Sequence, residues 1–252
     1  MSALIKILIG LVLASLLSFP QQVSADDKET ILITGANRGI GLALATQFHQ
    51  AGYKVIATAR KPEKATELKK LGVQIEPLDI TDSKSVAELK ARLAGRKIDI
   101  LLNNAGIGGH STQHFKDLDI EKLQWVLNVN SLGALRVTQA LLPNLEKSDR
   151  RIVASVSSRM GSISQNNSGG VMGYRASKTA LNSFNRSLSL EFADQGYIFV
   201  VLHPGWVRTD MTSERATYSP EESAMGLFKV VSNLKKSDNG KFYDLHGKLI
   251  SW

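Results

Sequence analysis

Thr34–Gly41 reads TGANRGIG, between the apolar run TILIT (Thr30–Thr34) and the helical pattern IGLALATQFHQAG (Ile40–Gly52). A strand, a glycine turn and a helix in that order can cradle an anion. Glycine permits a tight turn and close approach of a ligand to the backbone. The helix start adds free N–H groups and a partial positive charge, which suits a pyrophosphate. Gly35, Gly39 and Gly41 are spaced G-x-x-x-G-x-G, not as the common dinucleotide fingerprint. Read alone, the triplet is also compatible with an ordinary βα turn, so its placement carries the reading.

Outward from this turn, apolar runs alternate with helical patterns. YKVIATA, VQIEPLDI, KIDILLNNAG, RIVASVSS and YIFVVLHPG read as strands. EKATELKKLG, SKSVAELKARLAG and a long stretch from about Tyr174 to Asp194 read as helices. Near-continuous Ile, Leu and Val indicate strands covered on both faces, as in parallel sheets. The alternation predicts βαβ units in a doubly wound, three-layer αβα sheet of Rossmann type. SPEES (Ser219–Ser223) predicts a helix start, with Ser219 as N-cap, Pro220 at N1 and Glu222 completing a capping box.

At the end of the second strand, NAD-binding proteins usually place an acid for the ribose 2′-hydroxyl. Here the chain reads Ala59, then Arg60, and Arg38 lies inside the glycine turn. Two guanidiniums suit a 2′-phosphate, so NADPH is expected over NADH.

Tyr174 and Lys178, four residues apart in GYRASKTAL, share one helix face. A tyrosine with an ordinary pKa of about 10 is a sluggish acid at neutral pH, and a nearby ammonium lowers that value. The pair can donate a proton to a developing alkoxide. The strand before it ends in Ser157 and Ser158, whose hydroxyls can bind a carbonyl oxygen. Strand neighbours face opposite sides, so only one of the two faces the site. We take Ser158.

With TGANRGIG, LDIT, NNAG, NVNSLG, SS, YRASK and HPGWVRTD in this order, the chain from Glu29 to Trp252 resembles the short-chain dehydrogenase/reductase family. SSRMGSIS, LHPGWVRTDM and GKFYDLHGKLISW are most similar to its C-factor and sniffer-like carbonyl reductase branch. The resemblance implies Tyr174 as general acid/base, Lys178 on the nicotinamide ribose, Ser158 on the substrate carbonyl and Asn130 in a proton relay. It implies cofactor contacts from Gly35, Asn37, Arg38, Gly39, Ile40, Gly41, Arg60, Asp79, Ile80, Asn104, Ala105, Gly106, Tyr174, Lys178, Pro204, Gly205, Val207 and Thr209. It further implies reduction of an aldehyde or ketone, or oxidation of the alcohol, in a homodimer or homotetramer. A signalling or binding role on a cofactor-bound scaffold is the alternative. A pure binder, however, needs no proton donor. One departure is the segment between serine and tyrosine, RMGSISQNNSGGVMG, which is longer than the family usually has. The segment after Asp210 is brief, which suggests an open pocket.

Other features carry less. The net charge is +8, but Lys and Arg are interleaved with acids, so no nucleic-acid surface is indicated. Cysteine is absent, which excludes disulfides and a thiolate nucleophile. His110 and His114 lack a patterned set of further ligands, so no metal is expected. They are read as edging the substrate loop, and His203 as structural. Ile107, Met172, Trp206 and Met211 are candidate pocket residues. Arg159 and Arg175 flank the catalytic segment.

Residues 1–25 have a cationic start at Lys6, an apolar run from Ile7 to Phe19 and small residues ending at Ala25. That is the layout of a secretory signal. A cleaved signal, an uncleaved anchor and an added leader all fit, with residues 26–252 as the catalytic domain. Export or membrane anchoring is expected, with any membrane contact confined to residues 1–25. A cytoplasmic protein follows if the leader is unused.

Overall fold

The apolar runs form the strands of a computed structural model that describes residues 28–108 and 114–252. The leader, residues 1–25, and His110 lie outside the described residues. Among those described, β1 (Thr30–Ile33), β2 (Lys54–Ala59), β3 (Gln74–Pro77), β4 (Ile100–Asn103), β5 (Ile152–Val156), β6 (Ile198–His203) and β7 (Lys241–Asp244) form one sheet. Every pairing is parallel, in the order β3-β2-β1-β4-β5-β6-β7.

Strand side chains alternate between faces, and both faces are apolar here. Ile31, Ile33, Ala57, Leu102 and Val200 join the layer of Leu44 and Phe48 from α1 (Gly39–Gln50) and Leu227 and Val231 from α7 (Pro220–Ser232). Leu32, Ile56, Leu101, Val153 and Phe199 point the other way. They meet Val86 and Leu89 of α3 (Ser83–Arg92) and Val137 and Leu141 of α5 (Gly133–Leu145). This is the doubly wound arrangement expected from the continuous apolar runs. Strand and helix ends differ from the expectation by a few residues; EKATELKKLG, for example, is α-helical only over α2 (Thr66–Leu71), after a 3-10 turn over Pro62–Lys64.

The α7 start is built as the sequence predicts. Ser219 accepts from Glu222 N at 3.1 Å, and the Glu222 carboxylate accepts from Ser219 N at 2.7 Å. The long predicted helix is α6 (Met172–Glu191). Two features were not legible beforehand. One is β7, four residues long. The other is a rod made of α4 (Ile120–Leu127), a π-helical turn over Asn128–Leu132, and α5. Single π turns within α-helices are frequent at functional sites. This one carries Asn130.

From β1 the chain winds outward through β2 to β3, then returns to β4 on the other side of β1 and continues to β7. The strand order therefore reverses between β1 and β4. Open α/β sheets bind ligands beyond the carboxyl ends of their strands at such a point. The glycine turn after β1, Asn104 after β4, Ser157 and Ser158 after β5, and Pro204 after β6 all lie at that edge.

Candidate active site

The glycine turn is packed too closely for side chains. A Cβ on Gly41 would stand 2.3 Å from the Gly35 carbonyl oxygen and 2.5 Å from Asn104 Nδ2. Gly35 has φ +64°, and a Cβ there would meet Ala105 Cα at 2.9 Å. The turn is also tied to its neighbours. Ala36 N donates to Thr58 O at 2.8 Å. Thr34 Oγ1 accepts from Asn104 N and Ala105 N, both at 3.0 Å. Asn104 Nδ2 donates to Thr34 O at 3.0 Å and Gly35 O at 3.1 Å. The result is a rigid backbone cradle at the head of α1, which fits a pyrophosphate. Thr209 lies against it, its Cγ2 being 3.4 Å from a Cβ placed on Gly39.

Arg38 precedes α1 with an extended backbone and caps nothing. Its guanidinium meets Asp210 Oδ2 at 2.5 Å. Arg60 is exposed just beyond β2. Burial opposes ionisation of Asp79, yet hydrogen bonds from Thr81 Oγ1 (2.7 Å) and N (2.9 Å), with Arg60 nearby, hold its carboxyl below the ordinary value. Ile80 is buried against Gly133. Asn37 and Ile40 lie within the turn and the first turn of α1.

At the corner between β5 and α6 the two serines diverge. Ser157 Oγ donates to Asn182 Oδ1 at 2.7 Å and so anchors α6. Ser158 Oγ accepts from Met160 N at 3.1 Å, and its side chain lies close enough to the Tyr174 hydroxyl to favour the phenolate. Tyr174 is half-buried. Burial pushes its pKa up and Ser158 opposes this only in part, so the hydroxyl keeps its proton at neutral pH. Lys178 is 5% exposed, and burial pulls its ammonium down to about 8. Its Nζ donates to Val156 O at 3.0 Å and stands 5.8 Å from the Tyr174 ring centroid.

Asn130 joins this cluster from the π turn. Its Oδ1 accepts from Ile107 N at 2.8 Å, and its Nδ2 donates to Ile107 O at 3.0 Å and Ser177 Oγ at 3.1 Å. Ser177 Oγ in turn donates to Tyr174 O at 2.8 Å. A Cβ on Gly106 would meet Asn130 Oδ1 at 3.1 Å and Lys178 Nζ at 3.6 Å. Gly106, Asn130 and Lys178 therefore converge. After β6, Pro204 O accepts from Ser223 Oγ at 2.7 Å, and Val207 bridges to Tyr218. Gly205 turns between them with φ +85°.

The structure thus brings Lys178 and Asn130 together beside Gly106, with Ser158 and Tyr174 at the adjoining corner, and sets Asn104 and Thr209 against the glycine turn. Thr34, Thr58 and Asn182 also build the site and were not singled out from sequence. Asn182 was findable, because it stands four residues past Lys178 on the same helix face. Arg175 does not enter the pocket region; it holds Gly170 O (3.2 Å) and Ser168 Oγ (2.9 Å). His114 and Arg159 are exposed. Trp206, Met172 and Met211 are 52%, 39% and 42% exposed, and Ile107 is half-buried. Burial, with Arg159 adding to it and Asp244 opposing, holds His203 down to about 4. A groove of about 720 Å³ between α7 and the segment after β7, with Met225 and Leu245 in its wall, contains none of the predicted site residues.

Comparison with known proteins agrees with this geometry. Residues 29–219 match the short chain dehydrogenase family. The C-signal protein of Myxococcus xanthus is 41% identical over 155 residues, 62% of this chain and 93% of that protein. The carbonyl reductase Sniffer of D. melanogaster superposes with a TM-score of 0.85 at 30% identity, over 89% of this chain and all of its own. The NADPH-bound carbonyl reductase from chicken fatty liver gives a TM-score of 0.82 at 33% identity, over 89% of this chain and 99% of its own.

Proposed function

Since this chain belongs to the short-chain dehydrogenase family and is an NAD(P)-dependent oxidoreductase of small molecules, we propose that it reduces an aldehyde or ketone to an alcohol and prefers NADPH. The observation that carries the reaction is the buried Ser158–Tyr174–Lys178 cluster next to the glycine cradle. The bound nicotinamide cofactor supplies the hydride. The substrate carbonyl oxygen would accept from Ser158 Oγ and Tyr174 Oη, whose side chains neighbour each other. Tyr174 enters the reaction protonated and gives that proton to the developing alkoxide. The Lys178 ammonium, 5.8 Å from the ring, stabilises the phenolate left behind. Asn130 fixes Ile107 against α6 and keeps the Lys178 end of the pocket in shape.

The preference for NADPH rests on Arg38 and Arg60 at the ribose edge and on the lack of an acid at the end of β2. The NADPH-bound relative supports it. Tyr174→Phe tests the mechanism. Turnover across a panel of aldehydes and ketones should fall by about 10²–10⁴-fold, the usual contribution of a positioned acid. NADPH should bind as before. Retained turnover would sink the assignment.

We further propose that residues 1–25 direct export. A mature terminus at Asp26 in an exported fraction is the expected result. An intact Met1 on cytosolic protein would overturn it.

A further inference from the structure

We infer that Asp210 sets how strongly this site discriminates for a 2′-phosphate, by holding the Arg38 guanidinium until a phosphate displaces it. The inference rests on the reading of Arg38 as a phosphate ligand.

The pair joins parts of the chain 172 residues apart: the glycine turn and the loop after β6. Its geometry is supported from both sides. Thr209, the neighbour of Asp210, packs against Gly39, the neighbour of Arg38. Thr209 N donates to Thr212 Oγ1 at 3.0 Å, Thr212 N donates to Thr209 O at 2.9 Å, and Thr212 Oγ1 donates to Val207 O. Asp210 therefore sits on a tight knuckle that presents its carboxylate to Arg38. It also brings an acid to the ribose edge, where the sequence of β2 has none.

Both side chains stay open to solvent, 68% for Arg38 and 73% for Asp210. An incoming phosphate can reach the guanidinium, and an exposed pair resists displacement only weakly. A dianionic phosphate that accepts two charged hydrogen bonds outcompetes one carboxylate. It must first free Arg38, however, so its observed affinity is reduced by the fraction of Arg38 already paired. A ligand with a 2′-hydroxyl does not need Arg38 and carries no such cost. Asp210 thus narrows the preference for NADPH over NADH.

Equilibrium binding of NADPH, NADH and adenosine 2′,5′-bisphosphate should be measured for the native chain, Asp210→Asn, Arg38→Ala and the double variant. Asp210→Asn should tighten NADPH and the bisphosphate about two- to fivefold, the range set by an exposed ion pair. NADH should not change. In the Arg38→Ala background the same substitution should have no effect. If tightening persists there, Asp210 acts by general repulsion and the inference falls. If Asp210→Asn leaves NADPH unchanged or weakens it, the inference also falls. If it weakens NADH alone, the carboxylate binds a 2′-hydroxyl and the inference is overturned. Arg38→Ala separates the two levels. Equal losses of NADPH and NADH would remove the phosphate reading itself. A selective NADPH loss with no effect of Asp210→Asn would remove only the role of Asp210.

Discussion

The junctions β1–α1 and β5–α6 are both strand-to-helix corners at one edge of the sheet, and they are built by different means. The first spans a few residues and is made chiefly of backbone, tied by the Thr34 hydroxyl and the Asn104 amide. Its contacts are carbonyls and amides from Thr34, Gly35, Thr58 and Asn104, closer than any Cβ allows. The second is opened by the insert from Arg159 to Val171 and is made of side chains. Ser157, Asn182, Lys178 and Asn130 are buried there and paired with one another or with backbone. A corner made of backbone should fail all at once, for steric reasons. A corner made of side chains, with the titrating Lys178 among them, should fail by degrees and with pH.

Gly41→Ala is the sharpest test of the first corner. Its Cβ would fall 2.3 Å from a backbone carbonyl oxygen at a helix start and 2.5 Å from Asn104 Nδ2, an amide held in place by hydrogen bonds to Thr34 O and Gly35 O. Overpacking of this kind costs about 1–3 kcal/mol or more, and the upper end applies here. Cofactor affinity should collapse with it. Urea titration and NADPH binding would show both losses. A variant that binds NADPH normally would mean that the cradle tolerates movement, and the contrast between corners would be wrong.

The second corner should respond to pH. Burial lowers Lys178 to about 8, so its charge is lost near that value and not near its ordinary 10.5. Reductase kcat/KM should fall as pH rises through about 8, approaching tenfold per unit on the basic limb. Its effect on stability has the opposite sign. Between about 8 and 10.5 the unfolded chain holds a proton that the folded chain has released, so the folded state gains stability with rising pH. A flat rate profile up to pH 10 would show that the reaction does not use the Lys178 cation.

His203 belongs to the same side, at the end of β6. Desolvation, with Arg159 adding to it, holds it near 4, well below its ordinary 6.5. Its folded pKa is depressed, so the unfolded chain binds the extra proton between those values. Stability is full above about 6.5 and is lost as pH falls toward about 4, by at most about 3 kcal/mol. His203→Gln should flatten that part of the stability curve. An unchanged acid limb would assign the loss to other groups.

The contrast between corners also explains what could be read from sequence. The glycine turn was legible because each close contact there demands one residue type. The α7 start was legible because Ser219, Pro220 and Glu222 act within one helical turn. Strand parity reduced the serine choice to Ser157 or Ser158, and the partners separate them. The acceptor of the Lys178 ammonium was not legible, because it is the backbone carbonyl of Val156 and any residue supplies one. Asp210 beside Arg38 was not legible either, since the pairing depends on where two remote loops end. The rod through Asn130 was hidden because a π turn shifts the apolar stripe and breaks its helical period.

Val171, which starts α6, gives the smallest effect and the most local test. It follows Gly169 and Gly170, both with positive φ, and itself has φ +49°. A β-branched residue in the left-handed region is a genuine outlier, and such backbone costs about 1–3 kcal/mol. Val171→Asn keeps the conformation at lower strain, because asparagine visits this region readily. It should stabilise the fold by about 1 kcal/mol, the low end of that strain. Val171→Gly removes the same strain but adds freedom to the unfolded chain, so it should gain less. The urea midpoints should rank Asn above Gly above Val. If valine ranks first, its side chain is held by packing that outweighs the strain, and the insert is as tightly built as the glycine turn. In that case the two corners differ in material but not in rigidity, and the graded behaviour expected of the second would have to come from its titrating groups alone.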